Sequence, residues 1–158
     1  VWAEATLKKQ IVKDVLKTTP EKIVELVNRK IMVGSAMAGS LGFNAHYANI
    51  IAAVFAATGQ DLGQVVEGSL GITSAEVTGN GDLYFSAYLP SLMVGVVGGG
   101  TNLPTQKESL NLMGIKSVLE FAEVVAAAVL AGELSLLASQ AEGSLVKAHI
   151  RLGRKGTK

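Results

Sequence analysis

Two histidines, His46 and His149, are the only side chains in the sequence that ordinarily titrate near neutral pH, so proton transfer has few candidates. His46 and Asn49 stand three residues apart, one turn of helix, and so share a face near the start of a segment whose dipole favours negative charge. Taken alone, His46 reads as a hydrogen-bonded structural histidine. His149 closes an apolar helix beside a basic tail, where an imidazole complements the helix dipole. Asp61, in Thr58-Gly59-Gln60-Asp61, is a carboxylate at a turn, and on composition alone it caps the next short helix. Gly98-Gly99-Gly100 lacks the GxGxxG order of a dinucleotide fingerprint. Lys17, Arg29 and Lys30 suit solvated helix faces, although Lys30 abuts a glycine-rich run and could reach an anion there. Met37 reads as a packing residue.

The elements that must position these groups follow from the spacing of apolar residues and from the turn chemistry. Trp2 to Leu7 reads as a strand, and Ile11, Val12, Val15 and Leu16 give Lys8 to Leu16 a helical period. Thr19 caps and Pro20 opens a second helix running to about Arg29. From Gly34 the run Gly-Ser-Ala-Met-Ala-Gly-Ser-Leu-Gly predicts a loop. Asn44 to Thr58 predicts a helix stopped by Gly59. Ile72 to Val77 and Leu83 to Leu89 predict an antiparallel hairpin, with the Asn80-Gly81 pair supplying positive φ angles. Ser91 to Val97 is a further strand candidate, and Leu103 to Met113 a short helix. Ser117 to His149 reads as one long helix or two abutting ones, with Gly132 as the kink. The basic tail from Arg151 is expected to be mobile.

Composition bounds what these elements can serve. The 158 residues suffice for one ordinary domain or a piece of a larger one, and 49% hydrophobic against 17% charged residues marks a folded chain. A net charge of +1 gives no bulk attraction to nucleic acid or anionic membrane. The absence of cysteine excludes disulfides, a thiol nucleophile and thiolate metal sites, and fits a reducing compartment, with cytoplasm as the default. No metal site is expected. The greasiest stretch, Phe121 to Ala138, is interrupted by Glu123, Gly132 and Glu133, and reads as a core helix rather than a membrane segment. The start at Val1, already strand-like and with no initiator Met, suggests a fragment.

Together these segments resemble the 3-hydroxy-3-methylglutaryl-CoA (HMG-CoA) reductase family. The resemblance rests on Val33-Gly34-Ser35-Ala36-Met37-Ala38-Gly39-Ser40, Asn44-Ala45-His46 with Ala48-Asn49, and Thr58-Gly59-Gln60-Asp61. It continues through Asp82-Leu83-Tyr84, Leu89-Pro90-Ser91, Gly95-Val96-Val97-Gly98-Gly99-Gly100-Thr101, Ala131-Gly132-Glu133-Leu134-Ser135-Leu136 and Leu145-Val146-Lys147-Ala148-His149, in matching order over nearly the whole chain. The glycine turn and the histidine-bearing end are similar to the class I, archaeal and eukaryotic, form.

The resemblance implies NADPH-dependent reduction of HMG-CoA to mevalonate with release of CoA. A carbonyl taking up hydride needs a cation or proton donor at the developing oxyanion, and a departing thiolate needs a proton. By the match, Asp61 is the central aspartate of the network around that oxygen, and His149 protonates the CoA thiolate. Asn49 and His46 hold the substrate and the aspartate network. Lys30 binds the methylglutaryl carboxylate, and Lys17 and Ser135 match CoA-contacting positions. Val97, Gly98 and Gly99 form a close-approach backbone turn at the cofactor and dimer interface, and Arg154 lies near the NADPH phosphate. The family's catalytic glutamate, its Asp-Lys-Lys motif and its Asp-Ala-Met-Gly-Met-Asn motif have no counterpart here and would lie before Val1. Val96 and Ser144 replace the more usual Thr and His. The implied fold class is α+β: residues 1–33 end a small ferredoxin-like NADPH-binding subdomain, and residues 34–158 form the C-terminal part of a large, helix-rich HMG-CoA-binding domain with an antiparallel hairpin. The isolated stretch is expected to be inactive, to need the N-terminal part of the enzyme, and to assemble as a homodimer or larger homo-oligomer. The alternative is a non-catalytic module for CoA-ester binding or dimer assembly.

Overall fold

The computed structural model describes residues 1–153. The predicted α+β class is what is observed: a three-stranded antiparallel sheet with helices packed on its apolar side. Strand β1 (Trp2–Leu7) leads into α1 (Lys9–Asp14) and α2 (Pro20–Leu26), where Pro20 takes the first helical position and Thr19 Oγ1 accepts from the Lys22 N–H. Strands β2 (Ile72–Val77) and β3 (Leu83–Tyr88) form the expected hairpin. Its five-residue turn needs positive φ only at Gly81, at 79°. Sheet order is β1-β3-β2, with Trp2 opposite Tyr88 and Ile72 opposite the same residue on the other side. The segments before and after Gly34 therefore share one sheet.

Three local expectations are corrected. Gly34 does not open a loop: α2 runs on through a π-helical turn (Val27–Val33) into α3 (Gly34–Met37). Gly34 sits at helical φ −64°, and nothing in Gly-Ser-Ala-Met halts a helix; the first left-handed glycine is Gly39, at φ 66°. Ser91 to Val97 forms no strand. It is an irregular segment held by Gln60, whose amide donates to the Gly95 carbonyl at 2.9 Å and accepts from the Gly95 N–H at 2.8 Å. Gly132 is no kink either, since α7 (Val118–Glu142) passes through it unbroken and ends at Gly143, left-handed at φ 85°. Gly132 serves close packing instead: a Cβ there would stand 2.3 Å from Ile50 Cδ1, on α4 (Tyr47–Thr58). The remaining helices are α5 (Val65–Gly68), α6 (Pro104–Leu112) and α8 (Ser144–Gly153).

One sheet face carries both cores. Leu83, Phe85 and Ala87 alternate inward on β3, as an antiparallel sheet covered on one side requires. Leu83 and Phe85 pack with Val12, Ile23, Val27, Ile31 and Leu137. Ala87 and Leu89 pack with Tyr47, Ile51, Phe55, Phe121, Val125 and Val129. By length and composition α7 could cross a bilayer, but here it spans both cores, as the core-helix reading expects. Its buried stripe, Phe121, Val125, Val129, Glu133, Leu137, recurs every four residues.

Two glycines set the geometry of the glycine-rich turn. Gly59 ends α4 at φ 69°, and a Cβ there would lie 2.4 Å from the Gly100 carbonyl carbon and oxygen. Gly59→Ala is expected to cost about 2–4 kcal/mol in urea unfolding of the intact protein. Gly39→Ala, equally left-handed but with open space around it, should cost about 1 kcal/mol. Equal losses would contradict the backbone contact.

Burial also sets an alkaline limit. Desolvation pushes the Tyr47 phenol far above its ordinary 10.0, so the folded chain keeps the proton that an unfolded chain releases. Its stabilising effect is complete below about pH 10 and drains away as the pH rises further. Tyr47→Phe should flatten the fall in urea midpoint between about pH 10 and 12; an unchanged slope would refute a buried phenol.

Candidate functional site

The two residues paired by spacing meet at one site. His46 and Asn49 line an open cleft of about 330 Å³ with Ser35, Ser40, Asn44 and Ser69. The cleft sits at the start of α4, where the chain enters from a tight segment. Asn44 Nδ2 donates to the Ser69 carbonyl at 2.8 Å and the Gly71 carbonyl at 3.1 Å, while its Oδ1 accepts from the Tyr47 N–H at 3.1 Å. That last bond caps the helix, a task His46, formally at the cap position, does not perform with its own side chain. Gly42 is needed because a Cβ there would come within 3.0 Å of the Ser69 carbonyl oxygen. The mouth of the cleft is thus built from small side chains and fixed amides, which suits a polar ligand with several oxygens.

Beneath it lies a group that spacing arguments passed over. Glu133 is wholly buried, yet its carboxylate accepts from four donors. Oε1 takes the Ala45 N–H at 2.5 Å and the Thr73 hydroxyl at 2.9 Å. Oε2 takes the His46 N–H at 3.1 Å and lies 3.0 Å from His46 Nδ1. The Thr73 hydroxyl is also 3.1 Å from the Tyr47 hydroxyl, extending the network into the core. The signal was present in the sequence: an acid standing on the four-residue apolar stripe of α7, where an unpaired charge would be ruinous.

Asp61 occupies the expected turn. Exposed, it precedes a short 3₁₀ turn (Leu62–Gln64), and its Oδ1 accepts from the Gly63 N–H at 2.9 Å. Through Gly59 and Gln60 this turn is held against Gly95 to Gly100, so Asp61 and the three-glycine segment are neighbours. Gly98 and Gly99 have φ of 83° and 53°, with nothing within 4 Å of where a Cβ would stand, and Val97 beside them is 86% exposed. Lys30 lies in the π-helical turn, exposed, and its Nζ donates to Gln140 Oε1 at 2.5 Å. Lys17 is the one non-glycine residue at positive φ among those described, at 57°, a strained conformation at the α1–α2 junction. Ser135 is exposed on α7. His149 lies on α8, which packs against α7 without burying a side chain, beside Val146 and Ile150. Arg154 lies outside the described residues.

The structure therefore joins His46 with Asn49, and Asp61 with the glycine turn. Among the described residues no hydrogen bond joins Asp61 to His149 within the chain.

Comparison with known proteins matches the sequence to a family. The family model described as hydroxymethylglutaryl-coenzyme A reductase matches residues 1–154. The chain is 56% identical to the 3-hydroxy-3-methylglutaryl-coenzyme A reductase of Pyrococcus abyssi, over 98% of this chain and 40% of that protein. It is 58% identical to the enzyme of the same name from Aeropyrum pernix, over 100% of this chain and 39% of that protein. With the Methanothermobacter thermautotrophicus reductase it shares 55% identity, over 98% of this chain and 39% of the relative. The chain thus spans about two fifths of the length of the curated relatives it matches. A family match over residues 1–154, with identities of 55–58% over nearly the whole chain, assigns the chain to the HMG-CoA reductase family, on its class I branch.

Proposed function

We propose that the enzyme containing this chain reduces HMG-CoA to mevalonate, using NADPH as hydride donor and releasing CoA as its thiol. The observation that supports this most is the cleft at the start of α4, where His46 and Asn49 stand together among small polar side chains. A methylglutaryl group, with its carboxylate, hydroxyl and thioester oxygens, needs that kind of lining.

The residues take their roles from their surroundings. His46 and Asn49 orient the substrate. Lys30 binds its carboxylate: an ammonium carries three N–H donors, and the bond to Gln140 uses one. Asp61 keeps one oxygen on the Gly63 N–H and directs the other toward a lysine and a glutamate supplied by parts of the enzyme outside these residues. That network stabilises negative charge developing on the thioester oxygen. His149, on the exposed helix α8, gives a proton to the departing thiolate sulfur. Lys17 and Ser135, both exposed, contact CoA.

The residues around the glycine turn fit a dinucleotide. Gly98 and Gly99 leave open space against the backbone, so a pyrophosphate or ribose can approach without meeting a side chain. Val97 flanks this approach, and Arg154 is proposed to meet the cofactor phosphate. NADPH, when bound, supplies hydride.

In the complete enzyme, residues 1–33 are proposed to end the small nucleotide-binding subdomain and residues 34–158 to belong to the large substrate domain, with the shared sheet as the seam. Exposed Met37, Leu41, Val97 and Leu112, each at least 80% accessible, favour burial against the rest of the enzyme and a second subunit. A homodimer or larger homo-oligomer would let His149 reach the site that Asp61 serves. We place the enzyme in the cytoplasm.

The test uses the full-length enzyme and follows HMG-CoA-dependent NADPH oxidation. Asp61→Asn and His149→Gln should each lower kcat by about 100-fold or more. Normal turnover by Asp61→Asn rejects its role. CoA-ester binding without any reduction by the unmodified enzyme would instead support a non-catalytic module.

A further inference from the structure

The buried carboxylate of Glu133 has no part in the roles above, yet it touches the cleft's histidine twice, at the backbone and at the ring. We propose that Glu133 is a positioning residue that fixes the orientation and tautomer of His46, holding Nδ1–H inward and leaving Nε2 as the ring atom that meets the substrate. The proposal rests on the reading of the α4 cleft as the methylglutaryl site.

The argument is one of donor counting. A carboxylate only accepts, and its two oxygens offer about four lone-pair directions. Two are filled by the Ala45 and His46 backbone N–H groups, which can only donate, and a third by the Thr73 hydroxyl, which donates to Oε1. The fourth faces His46 Nδ1 at 3.0 Å, and the only favourable partner for an acceptor there is a protonated nitrogen. A neutral ring must therefore carry its proton on Nδ1 and present a lone pair at Nε2.

Rotation is equally constrained. The His46 backbone N–H is bound to the same oxygen that holds the ring, so swinging the imidazole away leaves a buried carboxylate oxygen with one donor in place of two. The ring is 20% exposed, against none for Glu133, which places the fixed histidine between core and cleft. Packing delivers the acid to this point: Gly132 lets α7 come close enough to α4 that a Cβ there would lie 3.7 Å from His46 Cε1. An Nε2 lone pair held at one place suits acceptance of a hydrogen bond from a ligand hydroxyl, such as the tertiary hydroxyl of a methylglutaryl group.

The test compares full-length wild-type, Glu133→Gln, Thr73→Val and His46→Gln enzymes. Nitrogen NMR of histidine-labelled enzyme, at a pH where the ring is neutral, assigns the tautomer, with His46→Gln identifying the signal. The wild type should show His46 as Nδ1–H. Glu133→Gln presents an amide N–H where Oε2 stood, or loses that acceptor, so the signal should move toward the Nε2–H form and KM for HMG-CoA should rise about 10-fold or more. Thr73→Val removes a buried hydrogen bond to the same carboxylate but leaves the His46 contacts, so tautomer and KM should hold within about 3-fold. A merely structural Glu133 would lower stability in both variants and leave the tautomer alone. An Nε2–H tautomer in the wild type overturns the proposal even if Glu133→Gln fails to fold, as does an unchanged KM in a folded Glu133→Gln enzyme. An unchanged KM in His46→Gln, with the Nδ1–H tautomer in place, would instead sink the reading of the cleft.

Discussion

The arrangement around the cleft depends on one buried charge. Glu133 stands on the apolar stripe of α7 between Val129, which belongs to one core, and Leu137, which belongs to the other. Moving a carboxylate there costs several kcal/mol, and only a full set of donors can offset it. Those donors come from two places far apart in the chain: Ala45 and His46, at the entry to α4, and Thr73 on strand β2. Two of them are backbone N–H groups at a helix start, so the acid also complements the α4 dipole. Sheet, long helix and cleft are tied through one group, and displacing any of them leaves a charge unpaired.

From this constraint the rest of the site follows by packing. Gly132 lets α7 approach α4, and Gly59 and Gly100 let the far end of α4 meet the three-glycine turn. The helix thus carries His46 and Asn49 at its start, and Asp61 follows its end. Its rigidity separates the two functional neighbourhoods by the length of α4, about 18 Å at 1.5 Å per residue over 12 residues.

Much of this was legible in the residues. β1, the hairpin, the Thr19 cap with Pro20, the Gly59 stop and the Asp61 cap are each set by local chemistry, which acts before tertiary contacts exist. What local chemistry could not show is which glycine acts through its backbone angle and which through its missing side chain. Gly34 and Gly132 are helical, Gly39 and Gly143 end helices, and only packing partners distinguish them. Ser91 to Val97 has strand-like residues but is tied to Gln60 by its backbone, a long-range bond that composition does not reveal. Glu133 was visible as an interruption of an apolar stretch. Its role was not, because its partners lie 60 to 88 residues away in the chain.

The central claim, that a buried carboxylate clamps the entry to α4, is tested most directly by amide hydrogen exchange on the intact enzyme. If the Glu133 bonds are as described, the Ala45 and His46 amides should be protected as strongly as Ile51 in the α4 core, opening only with the domain. Exchange of those two amides as fast as Asn80 or Gly81 in the hairpin turn would contradict the account.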